Sequence, residues 1–166
     1  NQTTCRRTLL LGHFDEKFDA VKCKGMCDNC QERQGGAMFE DKDMTQPAIA
    51  ICQVISGMGY GGGTKTGVWG TFSGSKSKDI LNSGYDRLPG YGAGKKMKIA
   101  KPLFENLLIK IIADGFVQER TTRNNGPFGG SVTHLHADAR RVNDLQSGPA
   151  RVVMQTKLTK EQADQR

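Results

Sequence analysis

An α+β fold class follows from three features of this 166-residue sequence. Four of the 5 cysteines fall early in the chain and end in the knuckle Cys27-Asp28-Asn29-Cys30. The middle of the chain repeats apolar residues at helical spacing, and two β-type runs further on flank a Gly- and Asn-rich loop. Their order predicts a small helical subdomain bearing the cysteines, then three helices and a hairpin. That is the pattern of a winged helix, a helix-turn-helix variant.

The boundaries drawn from the sequence are a cysteine subdomain over 1–33, an acidic linker over 34–44, the winged helix over 45–158 and a polar tail over 159–166. Thr45 is placed to cap the next helix, with Pro47 tolerated in its first turn and Ile51, Val54 and Ile55 on its apolar face beside Cys52. Gly57 to Gly67 reads as flexible loop. Trp69 and Phe72 sit three apart, as on a short helix. Gly74-Ser75-Lys76-Ser77-Lys78 ends that helix and caps another presenting Ile80 and Leu81. The strongest helix is expected over 98–113, with Ile99, Leu103, Leu107 and Ile111 facing inward, Leu108 and Ile112 alongside, and Gly115 as its stop. Strands are expected over 116–123 and 131–137, a short helix over 138–146 and a last strand over 151–156.

The net charge is +7, and the segment from Lys65 to Lys110 holds nine Lys and Arg against three acids. A lysine excess spread evenly would be a solubilising surface. Its concentration points to a polyanion. No amphipathic helix with an aromatic face accompanies the lysines, and no run approaches the ~18 apolar residues of a membrane span. Nucleic acid is therefore favoured over an anionic membrane. The chain opens on Asn1 rather than Met, as an excised fragment would.

Cys5, Cys23, Cys27 and Cys30 have the spacing C-x17-C-x3-C-x2-C. Tetrahedral zinc takes four soft ligands, and a C-x2-C knuckle supplies two from one tight turn. Two disulfides are the competing reading. The odd cysteine total and the basic, intracellular composition favour one structural Zn2+ per chain, with Cys52 left as a core residue.

In a winged helix, phosphate contacts come from helix N-termini, small hydroxyls and lysines. Ser75, Lys76, Ser77 and Lys78 supply all three at one helix start, and Lys95, Lys96 and Lys98 offer a second contact before the long helix. No helix face clusters Arg and Asn as base reading requires, so the expectation is sequence-independent duplex binding. Gly92-Ala93-Gly94-Lys95-Lys96 approaches a P-loop, but Pro89 stands where its first glycine belongs and Lys96 where Ser or Thr is needed. Phe14-Asp15-Glu16 lacks the buried strand of a helicase Asp-Glu box. Neither is expected to bind nucleotide. His134 and His136 share one face of a strand and read as surface residues rather than metal ligands, and His13 as structural.

Cys5-Arg6-Arg7, the run from Leu9 to Phe14 (LLLGHF) and the Cys27–Cys30 knuckle resemble the zinc subdomain that follows the motor in RecQ-family DNA helicases. Gly57-Met58-Gly59-Tyr60, Gly74-Ser75-Lys76-Ser77, Gly84-Tyr85-Asp86-Arg87-Leu88, Tyr91-Gly92-Ala93-Gly94-Lys95 and Asp114-Gly115-Phe116-Val117 are similar to landmarks of that family's winged helix, the RQC domain. The ordered set runs from Cys5 to Thr156, and its Gly-Ser-Lys-Ser run is closest to the eukaryotic, Bloom-type branch. The chain departs from the pattern in the Gly-rich stretch after Tyr60 and in the loop NNGPFGG.

The resemblance implies a part of an ATP-dependent 3′–5′ DNA helicase of replication, recombination or repair, nuclear if eukaryotic and cytoplasmic if bacterial. ATP and Mg2+ would serve only motor domains, whose motifs this sequence lacks. The implied partners are double-stranded and junction DNA and the motor domains of the same full-length chain, with no membrane. In such winged helices the hairpin meets the duplex end. Asn124 to Gly130 would then be the strand-separating tip, with Phe128 stacking on the last base pair and Asn124 and Asn125 bonding to exposed bases or backbone. Alternatively Phe128 folds back onto the sheet as part of an ordinary turn. A stand-alone zinc-containing winged-helix transcription regulator and a winged-helix protein-interaction module are the other function classes.

Overall fold

The computed structural model describes residues 4–34 and 39–157. They fall into two units, one holding Asn1–Lys42 with Met154–Arg166 and the other Asp43–Val153. The polar tail over 159–166 and part of the acidic linker lie outside the described residues.

The first unit is built from short pieces. Helix α1 spans Arg6–Gly12, a 3-10 turn spans Ala20–Cys23 and α2 spans Asp28–Gln34. Strand β1, Phe39–Asp43, pairs with β4, Val153–Lys157. The sequence reading had linker where β1 stands. Its residues show no apolar alternation, and its partner is more than a hundred residues away, so no local pattern announces it.

In the second unit α3 (Thr45–Gly57) packs against α4 (Lys65–Ser73), α7 (Lys101–Ala113), α8 (Ala139–Ser147) and strand β3 (Gly130–Ala137). Helices α5 (Lys78–Asn82) and α6 (Ala93–Lys96) are short, and β2 is Val117–Asn124. Ile51, Val54 and Ile55 are buried as their spacing predicts, and so is Cys52, whose thiol burial pushes up to about 12. Trp69, Phe72 and Phe104 form an aromatic trio with ring centroids 5.0–6.5 Å apart. Burying one such ring contributes about 1.5–3 kcal/mol.

Several local expectations are corrected. Thr45 does not cap α3. Its own amide donates to the Asp43 carboxylate at 2.9 Å, and its hydroxyl accepts the Val152 amide at 3.0 Å. Asp43 therefore holds the helix start, with Arg151 on its other oxygen at 3.3 Å. Helix α7 begins at Lys101 rather than 98, with Pro102 in its first turn. Its buried residues are Phe104, Leu107, Leu108 and Ile111, while Leu103 is half-buried and Ile99 is buried ahead of the helix. Ser77 stands at the N-cap of α5 but makes no side-chain capping bond.

The Gly-rich stretch is not a free loop. Helix α3 runs through Gly57 and α4 starts at Lys65, capped by the Thr64 hydroxyl on the Gly67 amide at 3.1 Å. Between them Gly63 exchanges both backbone hydrogen bonds with Leu135, at 3.1 and 2.8 Å. At the other end of the core Asp138 caps α8, and the Arg141 guanidinium donates to the Asp114 carbonyl at 2.6 Å and lies over the Phe116 ring.

Candidate functional site

The four cysteines of the sequence pattern converge. Their sulfurs all lie within 4.8 Å of one another, and all four thiols are free of disulfides. A zinc–sulfur bond of about 2.3 Å in a tetrahedron requires sulfurs roughly 3.8 Å apart. Cys27 Sγ and Cys5 Sγ stand 3.8 Å apart. The chemistry of the donors fits as well. Cys5 immediately precedes α1, and the Thr8 amide, opposed by burial and aided by the Arg7 amide, brings its thiol down to about 6. Cys27 is lowered by the Arg6 amide. Cys30 is pushed up to about 12, first by its hydrogen bond with Cys27 and then by burial, with the Cys5 and Cys23 sulfurs adding to the shift.

Outside the sulfurs, Arg6 Nε and Nη2 meet the two Asp28 oxygens at 2.5 and 2.7 Å, and the guanidinium holds Asp28 down at about 2. This fork ties the start of α1 to the start of α2. Asn29 adds a bond to the Thr4 carbonyl at 2.8 Å.

In the second unit the basic segments meet through backbone contacts that the sequence did not reveal. Gly74 ends α4 in the left-handed region, and a Cβ on it would lie 3.1 Å from the Gly92 Cα. The Gly92 amide donates to the Thr71 carbonyl at 3.0 Å, and the Tyr91 hydroxyl to the Gly74 and Ser75 carbonyls at 3.2 and 3.1 Å. Gly74–Lys78 is thereby brought against the segment leading into Lys95, Lys96 and Lys98. Lys76, Lys78, Lys95, Lys96 and Lys98 are all exposed, whereas Lys65 and Lys110 are paired with Glu105 and Asp114. Among the described residues none of the five exposed lysines has an acidic partner within ion-pair distance. Lys98 also sits at φ +56, a region that costs a residue with a Cβ about 1–2 kcal/mol.

The hairpin tip is open to solvent. Gly129 donates to the Gly126 carbonyl at 3.0 Å, making a turn with Pro127 and Phe128 at its centre. Phe128 is 99% exposed, so the ring does not fold back onto the sheet. Asn124 and Asn125 are exposed beside it. His134 and His136 are half-buried on one face, and no third ligand joins them among the described residues. His13 is exposed at the end of α1, edge-on to Phe14. Of the groups that assemble this surface, Tyr91 was read from the sequence only as part of a family landmark, and its hydroxyl bonds to the end of α4 were missed.

A four-cysteine module preceding a winged helix, with a lysine face and a projecting hairpin, defines a class of nucleic-acid-processing proteins, and comparison with known families places the chain within it. Residues 38–163 match the RQC domain and residues 1–31 the RecQ zinc-binding family, so the chain belongs to the RQC family and carries the zinc-binding and RQC region of RecQ-family helicases. It is 31% identical to ATP-dependent helicase SGS1 of Saccharomyces cerevisiae over 93% of this chain and 10% of that protein. It is also 31% identical to ATP-dependent DNA helicase hus2/rqh1 of Schizosaccharomyces pombe, over 99% of this chain and 12% of the relative. With ATP-dependent DNA helicase Q-like 4B of Arabidopsis thaliana it shares 26% identity over 93% of its own length and 13% of the relative's. The chain thus spans about a tenth of the length of these relatives.

Proposed function

We propose that this chain grips duplex DNA by its backbone and parts base pairs at the hairpin tip, as one module of an ATP-dependent 3′–5′ RecQ-type helicase of replication, recombination or repair. The nucleus is the compartment this implies, given eukaryotic relatives. ATP and Mg2+ would act in motor domains outside these 166 residues. One structural zinc on Cys5, Cys23, Cys27 and Cys30 would close its shell with thiolates and leave no open position for a reactive water.

The carrying observation is the closure of Tyr91 and Gly92 onto the end of α4, which gathers five lysines that have no acidic partner among the described residues with the hydroxyls of Ser75 and Ser77. Helix α5 has only five residues, so the grip rests on these charges and hydroxyls more than on a helix dipole. Phosphates are the same at every base pair, so binding is independent of sequence. Each lysine–phosphate contact contributes about 0.9 to the slope of log affinity against log salt. Lys76→Ala with Lys78→Ala should weaken duplex binding alike for unrelated sequences and lower the slope by about 2. Anisotropy titrations from 50 to 200 mM salt measure this. A double variant with wild-type affinity and slope would move the grip elsewhere, and preference for one operator sequence would favour a transcription regulator. Absence of DNA affinity in the wild type would favour a protein-interaction module.

The tip supplies the second step. Stacking one base on an aromatic ring is worth ~1–3 kcal/mol, comparable with a DNA stacking step of ~1.4 kcal/mol. Phe128 can thus replace the partner that the last base pair loses. In the full-length helicase Phe128→Ala should lose most unwinding while keeping duplex affinity and ATPase activity. Unwinding at the wild-type rate would leave the hairpin a structural wing.

A further inference from the structure

The β2–β3 ribbon has two unlike faces. Side chains alternate along each strand, and the register sets Gln118, Arg120, Thr122 and Asn124 opposite His136, His134, Val132 and Gly130 on one face. Glu119, Thr121 and Arg123 share the other with Leu135, Thr133 and Ser131. The second face carries an acid and spends two hydroxyls on each other, Thr121 to Thr133 at 2.9 Å. The first has no acid, and among the described residues Arg120 has no acidic partner within ion-pair distance. From Gln118 outward β2 is exposed, as is β3 from Gly130 to Thr133. A two-stranded ribbon without an apolar face gains little from packing, so the outer half is not there to complete a core.

At the base of the first face stands a fully exposed aromatic. Gly62 donates to the Gly59 carbonyl at 3.0 Å, so Gly59–Gly62 is a tight turn with Tyr60 second in it. The turn is moored by the paired bonds between Gly63 and Leu135. Gly62 lies so close to His136 that a Cβ there would sit 2.9 Å from the imidazole Nε2. Tyr60 on that turn is 106% exposed.

We infer that this face is the track of the single strand released at the tip, running from Asn124 past Arg120 and His134 to Tyr60. Arg120 meets its phosphates and Tyr60 stacks a base at the far end. The six steps from Asn124 to Gln118 cover about 20 Å, room for several nucleotides. The track deepens the strand-separation reading and rests on it for the source of its strand.

The test uses the zinc-loaded chain, a forked duplex with thymidine arms and a blunt duplex of the same sequence. Tyr60→Ala and Arg120→Ala should each weaken fork binding about tenfold, the loss of one stacked base or its equivalent, while blunt-duplex affinity holds. Tyr60→Phe keeps the ring and should restore fork binding. Arg123→Ala, on the other face, should bind forks as wild type does. Wild-type fork affinity in the Tyr60→Ala, Arg120→Ala double variant, or an equal loss from Arg123→Ala, overturns the track. The wedge is read separately, from unwinding by Phe128→Ala, so either assignment can fail alone.

Discussion

Removing the metal from this chain should unfold residues 4–34 while the 43–153 unit keeps its own melting transition. The interior of the cysteine module is the cluster itself: Cys5, Cys23 and Cys30, with Phe18, Ala20 and Cys27 packed against them. The larger apolar residues around it face solvent, Leu10 at 62%, Phe14 at 68% and Val21 at 81%. Helices of seven residues do not persist alone in water, and an exposed ion pair such as Arg6–Asp28 adds little. Little but a zinc ion on the four sulfurs would then hold the module. Structural zinc in small domains contributes roughly 10–16 kcal/mol of apparent binding free energy, which becomes folding free energy where no preformed site exists.

Chelation should therefore remove the helical signal of α1 and α2 and collapse the dispersion of their amide resonances, and zinc should restore both. Cys30→Ser should show the chelated state even in excess zinc. Cys52→Ala, buried in the other unit, should load one zinc per chain as wild type does. A chelated protein whose amide spectrum over 4–34 is unchanged would sink the zinc assignment, as would elemental analysis finding no zinc.

The contrast between these two cysteine environments shows what was legible in the sequence. Three of the ligands lie within eight residues and the fourth precedes a helix, so spacing alone brings them together. The hairpin was legible for the same reason, since Gly and Asn between two β-type runs dictate a local turn. Elements that depend on distant partners were not. Strand β1 exists through β4, and Thr45 turns its hydroxyl toward Val152 rather than into its own helix. The inward face of α7 was read from Ile99 in steps of four. Pro102 starts the helix later, and the aromatic trio draws in Phe104 instead of Leu103. The lysines were found as a charge run. What makes them a surface is a hydrogen bond from Tyr91 and a close pass of two glycines, neither of which has a periodicity.

Gly94→Val should be among the most damaging single changes in the winged-helix unit, and it should abolish the DNA grip with no lysine altered. Gly94 is buried where α6 crosses α4, and a Cβ built on it would lie 2.6 Å from the Phe72 ring and 3.0 Å from the Phe72 carbonyl. Two effects oppose each other for Gly94→Ala. Helix propensity favours alanine by about 1 kcal/mol, whereas overpacking costs ~1–3 kcal/mol. The ring cannot swing away, because Phe72 is fully buried with centroids 5.5 Å from Phe104 and 6.5 Å from Trp69. Neither can the carbonyl, which belongs to the last turn of α4. Sterics should win: Gly94→Ala is expected to lose about 1 kcal/mol, and Gly94→Val, with two further methyl groups, about 3 kcal/mol or more. As α6 is pushed off α4 the Gly92–Thr71 and Tyr91–Gly74 bonds break, and Lys95, Lys96 and Lys98 part from Lys76 and Lys78. Duplex affinity should then fall further than in the Lys76→Ala, Lys78→Ala double variant, at a temperature where circular dichroism shows the chain still folded. Phe72→Leu removes the ring edge that a new Cβ meets, so in a double-mutant cycle it should recover part of the Gly94→Ala loss. Additive losses in that cycle, or full DNA affinity in a folded Gly94→Val protein, would show that the two lysine groups act without the α4–α6 contact.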